Sequence, residues 1–247
     1  MSKLKTAAVI PARYASSRFP GKALAEIMGQ PMIVRVLKAV EKCEQIDEVY
    51  VATDDLRIKN EVEKAGGRSI MTSAQHQSGT DRIAEAAQEI EAELIVNIQG
   101  DEPLIKAESI EQALKPFAAE PELKMSTLKR KITAAEAENP DLVKVITDQD
   151  DYALYFSRSK VPYYRDAELN KQQYFQHIGL YVYRRDFLLQ YAGMEQTPLE
   201  KAESLEQLRA LENGYKIKVL ETEAKLIGVD RREDIKLVEK ELKARKS

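Results

Sequence analysis

Two arginines, a lysine, two serines and a glycine crowd into Ile10-Pro11-Ala12-Arg13-Tyr14-Ala15-Ser16-Ser17-Arg18-Phe19-Pro20-Gly21-Lys22, directly behind a short apolar run. Arginine offers forked donors, lysine a point charge, and loop amides can fill the remaining acceptors, a combination that suits a triphosphate. A solvated basic loop is the plainer account, but three cations clustered straight after a buried strand call for an anion. The loop matches neither G-x-x-x-x-G-K-[ST] nor G-x-G-x-x-G, so the P-loop and dinucleotide fingerprints are absent.

Two aspartates could complete such a site. Asn97-Ile98-Gln99-Gly100-Asp101-Glu102-Pro103 closes another apolar run, and Ile227-Gly228-Val229-Asp230 precedes a charged terminal segment. Either aspartate read alone fits a helix cap as well as it fits a metal ligand. Read with the basic loop, both fit a metal–triphosphate site, because Mg²⁺ takes oxygen ligands, commonly one or two carboxylates plus substrate phosphates.

A third polar cluster comprises Arg158, His177 and Glu206-Gln207-Leu208-Arg209. His177 lies inside the strand-like His-Ile-Gly-Leu-Tyr-Val-Tyr, where a histidine is either structural or a ligand contact. His76, in Ser73-Ala74-Gln75-His76-Gln77-Ser78-Gly79, reads as loop surface. Two histidines and one cysteine cannot supply the usual zinc ligand set. No G-x-S-x-G elbow is present, which argues against a covalent hydrolase.

The elements that must position these residues alternate between β-like runs and helical periodicity through the first half, the pattern of a mostly parallel sheet with helices on both faces. Strands are expected at 6–10, 48–52, 69–72 and 94–98, and helices at 31–43, 56–65 and 80–90. Pro31 suits the first turn of its helix. The basic loop and Asp101 then fall on the carboxyl edge of the sheet, where open α/β sheets bind ligands. In the second half, strands are expected at 142–146, 152–157, 177–183 and 216–220. Helices are expected at 186–191, 199–212 (stopped by Asn213-Gly214) and 232–245.

At 247 residues the chain fits one large α/β domain or a domain with an inserted lobe. A net charge of −3, with 38 basic and 41 acidic residues, argues against coating nucleic acid. No run approaches the roughly 18 apolar residues of a membrane span, and the N-terminal apolar stretch is too short for a signal-peptide core. The lone cysteine, Cys43, fits packing in a reducing cytoplasm.

In order along the chain, IPARYASSRFPGK, VATDD, HQSGTDRIAEA, VNIQGDEPLI, YALYFSRSKVPY, HIGLYVYR, PLEKAESLEQLRALENG and GVD resemble the 3-deoxy-manno-octulosonate (Kdo) cytidylyltransferase, or CMP-Kdo synthetase, family. The resemblance covers nearly the whole chain. It implies a single Rossmann-like nucleotidyltransferase domain over 1–247, with a mostly parallel sheet and a smaller inserted dimerisation lobe at about 153–191. It implies nucleotide contacts at Ala12, Arg13, Ser17, Arg18, Lys22, Ser78, Gly79 and Asp81, with the cytosine against the 78–81 region. Mg²⁺ would be held by Asp101 and Asp230, which with Lys22 form the implied catalytic set. Sugar contacts would fall on Arg82, Gln99, Arg158, His177, Tyr181, Glu206 and Gln207. The implied reaction is attack of the anomeric 2-hydroxyl of Kdo on the α-phosphorus of CTP, for lipopolysaccharide synthesis. A cytoplasmic homodimer is implied, without nucleic-acid or membrane partners. A related acidic sugar as acceptor (8-amino-Kdo or a sialic acid) and a catalytically silent nucleotide-binding module are the alternatives.

Overall fold

Strand β1 (Thr6–Ala12) is buried along almost its whole length, as its nearly all-apolar composition requires of a strand covered on both faces. The computed structural model describes residues 4–15, 19–76, 78–166, 172–224 and 227–245. Met1–Glu111 with Leu226–Ser247 form one unit, and Gln112–Lys225 a second.

In the first unit, β1 is followed by a small antiparallel pair, β2 (Glu26–Ile27) and β3 (Gln30–Pro31), then α1 (Met32–Val40), β4 (Glu48–Thr53), α2 (Leu56–Lys64), β5 (Arg68–Met71), α3 (Gly79–Gln88) and β6 (Leu94–Asn97). The main strands pair in the order β6-β1-β4-β5, every pair parallel. Pro31 immediately precedes the first helical residue of α1, whose Met32, Ile33, Val34, Val36, Leu37 and Val40 are buried. Asp55 caps α2 by accepting from the Arg57 amide. The terminal helix Asp234–Ala244 buries Val238 beside Val229 in a cluster with Phe19, Ile27, Met32 and Leu104. Buried Val229 thereby anchors the chain next to Asp230. Cys43 is buried, as a packing residue should be.

Helix α4 (Ala107–Leu114) carries the chain into the second unit, which contains β7 (Met125–Ile132), β8 (Lys144–Thr147), β9 (Ala153–Ser157), β10 (Tyr174–Arg184), α5 (Arg185–Ala192), α6 (Pro198–Glu203), α7 (Gln207–Glu212) and β11 (Ile217–Glu221). Strand β7 pairs with β10 antiparallel and with β11 parallel, while β8 joins β10 to β9. Sequence periodicity leaves β7 unassigned, because Lys129, Arg130 and Lys131 interrupt its apolar pattern. The structure buries Lys129 and satisfies its ammonium with Thr147 Oγ1 at 2.9 Å and Asp151 Oδ1 at 2.7 Å.

The helix expected over 199–212 is two helices instead. Ser204 adopts a left-handed φ of 53° between α6 and α7. The Tyr191 hydroxyl donates to the Glu206 carbonyl at 2.6 Å inside the break. Tertiary contacts override the local helical pattern there.

Candidate active site

The carboxyl ends of β1 and β6 meet in a cleft of about 250 Å³, lined by Ala12, Arg13, Lys22, Ser78, Gly79, Arg82, Gln99, Asp101 and Asp230 among others. The close approach of the two strand ends depends on Gly100. A Cβ there would lie 2.7 Å from the Pro11 carbonyl oxygen, so any side chain would push the turn bearing Asp101 away from β1. Gly21, at a φ of 73°, returns the basic loop on itself, its amide donating to the Tyr14 carbonyl at 2.9 Å. Arg57 stacks 3.3 Å above the Tyr14 ring and is itself paired with Asp55.

Lys22 emerges from that turn between two carboxylates. Its ammonium lies 2.5 Å from Asp101 Oδ2 and 3.6 Å from Asp230 Oδ1. The two acidic loops are tied by the Val229 amide, which donates to the Asp101 carbonyl at 2.9 Å. Neither aspartate serves as a helix cap. Helix α4 begins at Ala107, and at the terminal helix it is Asp234 whose carboxylate accepts from the amides of Asp230 and Arg231. The Lys22 ammonium thus compensates two converging negative charges. A hard divalent cation suits the same place: two carboxylates are what Mg²⁺ commonly draws from a protein. Among the described residues no group of three or more Asp, Glu, His or Cys side chains is arranged to hold a metal ion by itself. A cation held here would therefore take its remaining ligands from phosphate and water.

Arg82 forms a second, buried positive centre. It is 3% exposed and donates to Thr72 Oγ1 at 2.5 Å and to Asp54 Oδ2 at 2.8 Å. Nothing in the sequence signals either partner: Asp54 lies in the VATDD block and Thr72 at the end of an expected strand, both far from Arg82 in local spacing. Gln99 donates to Asn97 Oδ1 at 3.2 Å. Ser78 and Asp81 close a capping box at the start of α3, so the Asp81 carboxylate accepts from the Ser78 amide and Asp81 does not line the cleft. His76, expected at the surface, lines the cleft and pairs through Nε2 with Glu85. Ser17 and Arg18 lie outside the described residues.

The remaining candidates belong to the second unit. Strand β10 bulges between Ile178 and Tyr181, and Thr127 Oγ1 fills the bulge, 3.0 Å from the Ile178 carbonyl and 2.8 Å from that of Leu180. His177 Nε2 is hydrogen-bonded to Thr127 Oγ1 across 3.0 Å. The imidazole packs edge-on to Phe156 and against Tyr181. Burial pushes the His177 pKa down to about 3 and raises that of Tyr181. Gln207 is buried, and Arg158 commits Nε to the Glu203 carbonyl at 2.8 Å and Nη1 to that of Pro140 at 3.2 Å.

A neutral buried histidine makes stability acid-sensitive. Between the ordinary pKa of about 6.5 and the folded value of about 3, the unfolded chain holds a proton that the folded chain lacks. Stability therefore falls with falling pH across that window, by at most about 1.4 kcal/mol per pH unit. Denaturant titrations of His177→Gln and the parent protein between pH 7 and 4 should show a shallower acid decline for the variant. Parallel curves would mean that His177 titrates normally in the folded chain.

A cytidylyltransferase family model matches residues 7–218. The chain is similar to the 3-deoxy-manno-octulosonate cytidylyltransferase of Geotalea uraniireducens, 52% identical over 97% of this chain and 100% of that one. It is also 52% identical to the protein of that name in Fusobacterium nucleatum, over 95% and 96% of the two chains. Among solved structures, CMP:2-keto-3-deoxy-manno-octonic acid synthetase complexed with CTP superposes with a TM-score of 0.93 at 44% identity, covering 98% of this chain and 100% of that one. The 4-diphosphocytidyl-2C-methyl-D-erythritol synthase of Anaerococcus prevotii shares the fold, with a TM-score of 0.64 at 19% identity over 98% of this chain and 100% of that one.

Proposed function

Since the chain belongs to the 3-deoxy-manno-octulosonate cytidylyltransferase family, an α/β fold with a mostly parallel central sheet, we propose that it transfers CMP from CTP to the anomeric 2-hydroxyl of Kdo, giving CMP-Kdo and pyrophosphate for lipopolysaccharide synthesis. The observation that carries the reading is the Lys22 ammonium held between Asp101 and Asp230 at the carboxyl edge of the parallel sheet.

Arg13 and Lys22 bring positive charge to a triphosphate in the cleft and oppose the charge that develops on the departing pyrophosphate. Asp101 and Asp230 would hold Mg²⁺, which when bound favours hydroxyl deprotonation and offsets phosphate charge. Buried Arg82, fixed by Asp54 and Thr72, presents a cation pre-oriented for an anionic group. The Ser78 hydroxyl accepts from the Asp81 amide as the cap of α3, and direct in-line transfer to the sugar hydroxyl needs no protein nucleophile.

The family match runs through both units, which supports reading 1–247 as one functional domain. Exposed Leu154 and Tyr163, within the 153–191 stretch, support a homodimer. Among the described residues no helix is long and apolar enough to cross a membrane; together with the buried lone thiol this supports a cytoplasmic setting.

Pyrophosphate release should be measured with CTP, Mg²⁺ and a panel of Kdo, 8-amino-Kdo and N-acetylneuraminic acid. Release with Kdo well above the other two is the expected result. Preference for another acid moves the acceptor, and silence with all three despite CTP binding rejects the transferase reading.

A further inference from the structure

Strands β1 and β4 run parallel with Ala12 opposite Thr53, so Tyr14 and Asp55, each two residues further on, leave the carboxyl edge as neighbours. Asp55 does more there than cap α2. Its carboxylate grips Arg57 in a two-pronged pair, Nε to Oδ1 at 3.0 Å and Nη2 to Oδ2 at 2.6 Å. The Arg57 amide donates to the same Oδ1 at 2.9 Å, so one carboxylate fixes both the backbone and the guanidinium. The guanidinium so oriented lies 3.3 Å from the centre of the Tyr14 ring.

Tyr14 is the point where the two legs of the basic loop meet. Its carbonyl accepts from the Gly21 amide at 2.9 Å, and a Cβ on Gly21 would lie 3.2 Å from carbons of the Tyr14 ring. The ring therefore touches the turn at Gly21 as well as the guanidinium. Beyond Gly21 the backbone is tied again, the Leu24 and Ala25 amides donating to the Gly21 and Lys22 carbonyls at 2.9 Å and 3.1 Å. Arg13 and Lys22, which line the cleft, each sit one residue from this junction. Tyr14 and Arg57 do not line it themselves.

We propose that Arg57, oriented by Asp55 and stacked on Tyr14, is a positioning residue: it holds the junction of the basic loop so that Arg13 and Lys22 are already placed for the outer phosphates of a nucleoside triphosphate. The inference rests on the cleft being a nucleoside triphosphate site. Cations placed before the ligand arrives need less ordering on binding, which strengthens it. The Arg57 side chain is 58% exposed, so the fold does not depend on burying it. Its stack acts at the scale of an exposed cation–ring contact, on the order of 5-fold in affinity.

The test is calorimetric binding of CTP and CMP to the parent protein, Arg57→Ala, Tyr14→Leu, Tyr14→Phe and the Arg57→Ala, Tyr14→Leu double variant, with thermal midpoints alongside. CMP lacks the two outer phosphates, so the CTP:CMP affinity ratio reports the placed cations, whereas a merely structural role would move the midpoint alone. The ratio should fall about 5-fold in Arg57→Ala and at least as much in Tyr14→Leu. Tyr14→Phe keeps the ring and should keep the parent ratio. The double variant should be no worse than Tyr14→Leu, because both changes remove one shared contact. An unchanged ratio in Arg57→Ala, or additive losses in the double variant, overturns the proposal and leaves the stack a structural contact. A parent that does not prefer CTP to CMP sinks the triphosphate reading and the proposal together. Absent pyrophosphate release with the expected ratios intact would strike the transferase reading alone and leave the role of Arg57 standing.

Discussion

Asp101→Asn should lower pyrophosphate release on the order of 10³-fold while the thermal midpoint stays nearly constant. Asparagine preserves the shape of the side chain and the backbone carbonyl that receives the Val229 amide, so the two acidic loops stay tied. What disappears is one of the two charges converging on Lys22, at 2.5 Å, with the Asp230 contact at 3.6 Å remaining. The side chains of Asp101 and Asp230 are 31% and 51% exposed. Solvent screens pairs of that kind, and their loss costs about 1 kcal/mol or less. The large kinetic and small thermal effects together separate a functional carboxylate from a structural one. Asp230→Asn should behave alike, and the double variant should be little worse than either single one, because the two act as a unit. Near-normal turnover in Asp101→Asn, measured at saturating CTP and Mg²⁺, would remove the metal assignment.

Much of this site is legible in the sequence because its parts follow apolar strands that announce themselves. The runs at 6–10 and 94–98 are nearly all apolar, and parallel pairing of β1 with β6 brings their carboxyl ends together. The basic loop and Asp101 therefore become neighbours by topology alone. Asp230 is less visible: its placement comes from Val229 burying itself with Phe19, Met32 and Val238, contacts made across most of the chain. The pairing of Arg82 with Asp54 spans 28 residues, and nothing in local spacing signals it. His76 reads as surface because a polar loop offers no periodicity, and its partner Glu85 lies on the next helix. Ser78 and Asp81 show the opposite case. Their S-x-x-D spacing is a capping-box signature, and the structure uses it as one. Strand β7 is obscured by charge, since a lysine whose ammonium is satisfied at 2.7 Å and 2.9 Å can occupy a buried strand position that pattern reading gives to water.

Arg209→Met should be the most destabilising of the substitutions considered, by about 3–5 kcal/mol. Arg209 meets Glu200 in a two-pronged pair, Nε to Oε2 at 2.8 Å and Nη2 to Oε1 at 2.6 Å, with side-chain exposures of 7% and 6%. Its Nη1 also donates to the Met194 carbonyl at 3.1 Å. The pair bridges α6 and α7 across the Ser204 break, so it fixes the turn that carries Glu206 and Gln207. Methionine removes the cation and leaves a carboxylate buried without its partner, which is the costly half of breaking such a pair. Replacing both residues, as Arg209→Met with Glu200→Leu, removes the stranded charge as well and should recover a large part of the loss. Urea denaturation of the parent, both single variants and the double variant forms a cycle that isolates the coupling. A coupling near zero would mean that water or another group compensates Glu200 once Arg209 is gone, and that the break between α6 and α7 is held by the Tyr191 hydroxyl and local packing instead. A coupling of several kcal/mol would identify the buried pair as the element that imposes two helices on a segment whose local pattern reads as one.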